Sequence, residues 1–194
     1  MDATTTTSTK EPAVKGAGVN SLIQVLRQMS NAERFAQFER HLPPQTAALI
    51  ERPRLAQEWV PLEEAAGLYA AAVTHLFDGD MARLYEVGRQ QMRKDLSGIY
   101  RVFMRVASPA FVAGRAGALF EVYGRDAGTL SVGARTDTSM ELILANRPFA
   151  SPAYFEALRG SIAGTLELTG VRDLSVTIVD EHLPDRRVYL ARWR

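Results

Sequence analysis

The chain of 194 residues contains no cysteine. Disulfides, thiolate zinc sites, iron–sulfur clusters and cysteine nucleophiles are thereby excluded. Lysine is scarce: Lys10, Lys15 and Lys94 are its only occurrences, and arginine supplies the rest of the positive charge. That bias is first a mark of GC-rich coding. Histidine occurs as His41, His75 and His182, with no His-x-x-x-His or His-Glu-x-x-His spacing. No apolar run reaches the roughly 18 residues that a membrane span needs. Neither sign of charge dominates: 23 Lys+Arg stand against 22 Asp+Glu, without the basic excess of a nucleic-acid-binding domain. Phosphate-loop, dinucleotide and Gly-x-Ser-x-Gly patterns are missing too. The acidic pairs Glu63-Glu64 and Asp180-Glu181 fall at a helix start and beside a turn, where the helix dipole and solvent account for them.

What is present is an ordinary globular composition, 46% hydrophobic and 23% charged, of a size suited to one domain. Residues 1–18 are mostly Thr, Ser, Lys, Gly and Ala, which predicts a disordered tail. They hold no apolar signal-peptide core, so a cytoplasmic location is expected. From Val19 to Tyr123 the periodicity is helical. Ser30 and Glu33 have capping-box spacing, and Pro43-Pro44 closes the helix they begin. The longest pattern runs from Met81 to about Val106, with Gly88 and Gly98 inside it as points of close packing or bending. Ser108-Pro109 predicts a further helix to about Tyr123.

The period then changes. Residues 129–133 and 139–145 read as strands, Ser151-Pro152 opens a helix that stops near Gly170, and residues 174–179 and 188–193 alternate as strands. Gly160-Ser161-Ile162-Ala163-Gly164 lies inside that helix as a small-residue packing face. The expectation is one α+β domain: a helical part over 19–124 packed on an antiparallel ββαββ unit over 127–194.

Two groups of side chains suggest function. Arg89, Arg93, Arg101 and Arg105 recur at spacings of four and eight, with Lys94 beside them. They form either a face for an anion or acidic partner or the solvated back of an amphipathic helix, diluted by Glu86 and Asp95. The aromatics are spread along helix stripes. They are first a core, and second the wall of a cavity between helices and sheet.

The order of several motifs is familiar. Trp59-Val60-Pro61, Tyr85-Glu86-Val87-Gly88-Arg89, Gly98-Ile99-Tyr100-Arg101-Val102-Phe103 and Ser108-Pro109-Ala110-Phe111 resemble a paralogous family of uncharacterised myxobacterial proteins. Gly128-Thr129-Leu130, Ser151-Pro152 and the Gly160, Gly164, Glu167, Gly170 series continue the resemblance. That family is similar in layout to haem-nitric-oxide-binding domains, 4-vinyl-reductase domains and TRAPP-complex subunits. The resemblance implies a helical part and a crossed antiparallel sheet, with haem, a small hydrophobic molecule or an acyl chain between them. Two of the family's features are missing. No histidine lies between His75 and His182 to serve as a proximal haem ligand, and Tyr123-Gly124-Arg125-Asp126 does not supply the Tyr-x-Ser-x-Arg motif. Haem and zinc are therefore not expected, and no other cofactor is either.

The expected function is a non-enzymatic, sensor-like domain that holds a small apolar molecule or acyl chain, with Tyr100, Phe103, Phe111, Phe120 and Phe155 as wall residues. The alternative is a homodimeric interaction module without ligand, paired through Leu22, Ile23 and Leu26 or through the Arg89/Arg93 face. Neither nucleic acid nor a membrane span enters either reading. An enzyme would need a convergent polar cluster that the sequence does not assemble.

Overall fold

A computed structural model of the chain describes residues 11–96, 107–148, 151–180 and 186–194. The N-terminal half is helical: α1 (Gly16–Gln28), α2 (Ala32–Arg40), α3 (Pro44–Glu51), α4 (Leu62–His75), α5 (Arg83–Asp95), α6 (Pro109–Ala113) and α7 (Ala116–Tyr123). Three very short strands, β1 (Ala13–Lys15), β2 (Trp59–Pro61) and β3 (Gly124–Arg125), form an antiparallel sheet in the order β2-β1-β3. The C-terminal unit is β4 (Thr129–Arg135), β5 (Ser139–Ala145), α8 (Pro152–Glu167), β6 (Ser175–Asp180) and β7 (Arg187–Arg192). Its antiparallel sheet has the order β4-β5-β7-β6. The chain is thus α+β, with the ββαββ order read from the sequence.

Local chemistry explains several element boundaries. Ser108 and Ser151 each cap a helix with Pro at its first position: Ser108 Oγ accepts from the Phe111 amide at 3.1 Å and Ser151 Oγ from Tyr154 at 3.3 Å. In β5, Met140, Leu142 and Leu144 point one way into the core. Their partners Ala191 and Tyr189 on β7 are equally buried, as a two-residue period requires.

Four expectations are corrected. The tail does not extend to Gly18. Residues 13–15 pair with β2 and β3, and α1 starts at Gly16. Ser30 does not cap α2; Asn31 does, accepting from the Arg34 amide at 2.8 Å. The long helix expected to Val106 reaches its C-cap at Leu96, and residues 97–106 lie outside the described ones. The helix expected from Ser108 to Tyr123 is two short helices separated by Gly114-Arg115.

The core has two lobes. One joins α1 to α5 around Leu22, Leu26, Phe38, Leu68 and Leu84, and the other lies between α8 and the larger sheet around Met140, Leu144, Ala163 and Tyr189. Helices α5 and α8 bind the halves together. A Cβ on Gly88 would lie 1.9 Å from the Ala157 carbonyl oxygen, and one on Gly160 would lie 1.8 Å from that of Tyr85. Gly164 meets Arg89 in the same way, at 2.5 Å. Backbone therefore touches backbone along this seam, and no side chain larger than hydrogen can enter it. Ser161 Oγ adds a hydrogen bond to the Ala157 carbonyl at 3.1 Å.

Candidate functional site

Beside the seam, the two halves part. A cavity of about 180 Å³ lies between the helical part and the larger sheet. Leu130 of β4 and Met140 and Leu142 of β5 form its floor, and Leu158, Ile162 and Leu166 of α8 form one flank. Ala116, Leu119 and Phe120 of α7 close another side. The opposite end comes from Val19 and Leu22 of α1, Ala65 and Tyr69 of α4, and Gln91 and Met92 of α5. Helix α7 is strongly apolar, yet none of its residues is fully buried. Its apolar residues are spent on the cavity and on solvent, with Val122 59% exposed.

The walls hold few polar groups, and most are already paired. Tyr69 donates its hydroxyl to Gln91 Oε1 at 3.3 Å, and Gln91 Nε2 donates to the Gly18 carbonyl at 2.9 Å. Ser161 and Thr165 donate to helix carbonyls at 3.1 and 2.8 Å. Tyr154 packs edge-on against Tyr69, with ring centroids 6.2 Å apart. Burial pushes the Tyr154 phenol up to about 12, only partly opposed by Arg147, and raises Tyr69 as well. Both phenols are thus neutral around neutral pH.

The five wall residues expected from the sequence fare differently. Phe120 lines the cavity. Phe111 does not: it is 52% exposed, with the Arg115 guanidinium 3.7 Å from its ring centroid. Phe155 is buried in the sheet-side core instead, under Arg147 and Arg187 at 3.6 and 4.7 Å. Tyr100 and Phe103 lie outside the described residues. The sequence reading did not single out Tyr69, Gln91 and Tyr154. Gln91 carries a signal in hindsight, because it continues the buried stripe of Leu84 and Val87, where a polar side chain needs a partner.

The arginine face is also revised. Arg89 is a strut across the seam, donating to Glu167 at 2.7 Å and to Glu86 at 3.1 Å, with Arg93 4.0 Å from Glu167. Glu167 and Glu86 hold the Arg89 guanidinium firmly charged. Arg101 and Arg105 lie outside the described residues. Leu22, Ile23 and Leu26, expected as a pairing surface, are buried in the core. His41 and His75 stack on each other with centroids 4.6 Å apart and take no part in the cavity wall. Among the described residues, no group of three or more His, Asp or Glu could hold a metal ion, and no helix is long and apolar enough to cross a membrane.

No family model matches the chain, and no curated protein matches it. Solved structures do. An oxygen-binding H-NOX domain related to soluble guanylate cyclases, in its oxygen complex, superposes with a TM-score of 0.65 at 14% identity, over 93% of this chain and 95% of that one. A variant of the T. tengcongensis H-NOX gives 0.67 at 15% identity over 93% and 97% of the two chains. An Fe(II) unliganded H-NOX variant from K. algicida gives 0.67 at 13% identity over 93% and 96%. At these identities the likeness establishes the fold. The layout that motif order suggested, that of haem-nitric-oxide-binding domains, holds at that level.

Proposed function

We propose that this chain is a non-enzymatic, sensor-like domain that binds a small apolar molecule without haem, in the cavity beside the α5–α8 seam. The observation that carries the proposal is the cavity itself. Protein interiors are close-packed, and voids lined by aliphatic and aromatic side chains are few. A volume of 180 Å³ is slightly larger than the roughly 150 Å³ of an apolar cavity that stays dry and takes up benzene. The occupant is thus a single ring or a short chain.

Haem, which H-NOX neighbours suggest, does not fit the residues present. Among the described residues no histidine lines the cavity. Tyrosine binds haem iron as a phenolate, and burial holds Tyr69 and Tyr154 neutral. Lys15 is the single cation among the described lining residues, too little for two propionates, and its ammonium lies 4.0 Å over the Trp59 ring. The motif order supports membership of the myxobacterial paralogous family.

Native mass spectrometry of the purified protein, before and after denaturation and after incubation with haemin, tests this reading. The expected result is no stoichiometric haemin adduct and no Soret shift, together with saturable uptake of a benzene-sized probe. Tight one-to-one haemin binding with an axial-ligand spectrum would overturn it. One observation favours a second reading, a homodimeric interaction module: Phe111 and Val122 are exposed apolar groups on neighbouring short helices. Light scattering at two concentrations decides it, since a pairing surface there gives a dimer that Phe111→Ser dissociates.

A further inference from the structure

Away from the cavity, we propose that His41 and His75 form a two-histidine site for a divalent transition metal of the nickel and copper type, clipping the end of α2 to the end of α4. The two rings stack with centroids 4.6 Å apart and planes 19° from parallel. His41 is the exposed C-cap of α2, and His75 is the half-buried last residue of α4. The protonation of one ring is fixed by its partner. His41 Nδ1 lies 2.7 Å from the Gln37 carbonyl oxygen, and a carbonyl can only accept. Nδ1 therefore carries the proton, and Nε2 keeps its lone pair. A backbone carbonyl on the far nitrogen is also what orients a metal-ligating histidine. His75 makes no hydrogen bond among the described residues, so none holds its ring back from the same ion.

The surrounding charge suits a cation. Both rings sit at C-terminal ends of helices, where the macrodipole is negative. The nearest charged side chains are largely neutralised: Arg34 of α2 pairs with Asp78 in the turn after α4, and Glu39 lies 3.4 Å from Arg27 of α1. Arg40, next to His41, is exposed and can turn to solvent. Two nitrogens bound to one ion at about 2.0–2.1 Å, as imidazole binds zinc, lie about 3 Å apart. Rings with centroids 4.6 Å apart reach that separation by tilting together at one edge. Two imidazoles do not close a coordination shell, so water fills the remaining positions and the site is an open one. Imidazole suits nickel and copper, and both stand high in the order of affinity for such ligands.

Calorimetric titration of Ni2+ into the whole chain, free of any affinity tag, tests the site. The expected result is one equivalent per chain, with a melting temperature raised on the order of 5 °C at a hundredfold excess over Kd. His41→Phe and His75→Phe each keep a flat ring in the stack and remove the ligand nitrogen. Each should melt close to the parent without metal, and each should lose both the equivalent and the shift. A second readout needs no variant. The chain has three histidines, and the ring-proton resonances of two of them should broaden together at low Ni2+ while the third stays sharp. Absence of saturable binding at millimolar Ni2+, binding retained in either variant, or broadening of any number of histidines other than two overturns the proposal.

Discussion

Helix α8 meets the helical half of the molecule in two ways, and the contrast carries the account. Along Gly160 and Gly164 it presses backbone to backbone on α5. On nearly the opposite side of the helix, as 3.6 residues per turn requires, Tyr154, Leu158, Ile162 and Leu166 border a space of about 180 Å³. The same helix is fixed with no tolerance on one face and borders a void on the other. A void costs stability through lost contacts, and the rigid seam is what lets the fold carry one without collapsing onto it. The seam is a structural device, and the cavity is the place of the proposed ligand.

The largest effect expected from breaking this contrast lies in the seam. Gly160→Ala places a methyl 1.8 Å from the Tyr85 carbonyl oxygen, and backbone cannot move aside cheaply. A loss of roughly 3 kcal/mol, the upper part of the overpacking range, should appear as a lowered urea midpoint with unchanged slope. A midpoint within error of the parent would mean that the helices are not in register as described. The ion pair of Arg89 with Glu167 should matter less. Both partners are about a quarter to a third exposed, so solvent screening limits Arg89→Met to about 1 kcal/mol, and the loss should shrink in high salt.

Part of this was legible in the sequence. The Ser-Pro pairs, the alternation of β5, β6 and β7 and the small-residue run Gly160–Gly164 are local signals, and local chemistry decides them. The cavity was not legible in the same way. Phe111, Phe120 and Phe155 are alike as residues, yet one is exposed, one lines the cavity and one is buried under two arginines. Their assignment depends on the break at Gly114-Arg115 and on how α7 lies over β4, which no periodicity encodes. The small sheet escaped because its strands have two or three residues, and pairings such as Lys15 with Trp59 span 44 positions of chain without a repeating pattern. Arg89 read as either a partner face or a solvated face, and not as a strut, because its partner Glu167 lies far away in sequence.

A smaller effect sharpens the comparison from the helical side. Asp95, the last residue of α5, is half-buried beside Ser21 and Lys94. Burial raises the Asp95 carboxyl above its ordinary value, against the opposing pull of Ser21 and Lys94. A raised carboxyl means that the folded state binds the proton more tightly than the unfolded one. The penalty is therefore present above the folded value and is relieved as pH falls through it toward the ordinary carboxylate range. Asp95→Asn should raise the melting temperature at pH 7, with the gain vanishing by about pH 4, near the ordinary carboxyl value. A gain independent of pH would place the effect elsewhere.

The least costly substitution is also the most informative. Ala116 lines the cavity on α7, and Ala116→Phe should fill space that the seam cannot offer, changing stability by no more than about 1 kcal/mol. Calorimetric titration of toluene into the parent protein and into this variant tests the central claim directly. The account predicts saturable one-to-one binding to the parent, lost in a variant that remains folded. No saturable binding to the parent, or equal binding by both, would contradict it.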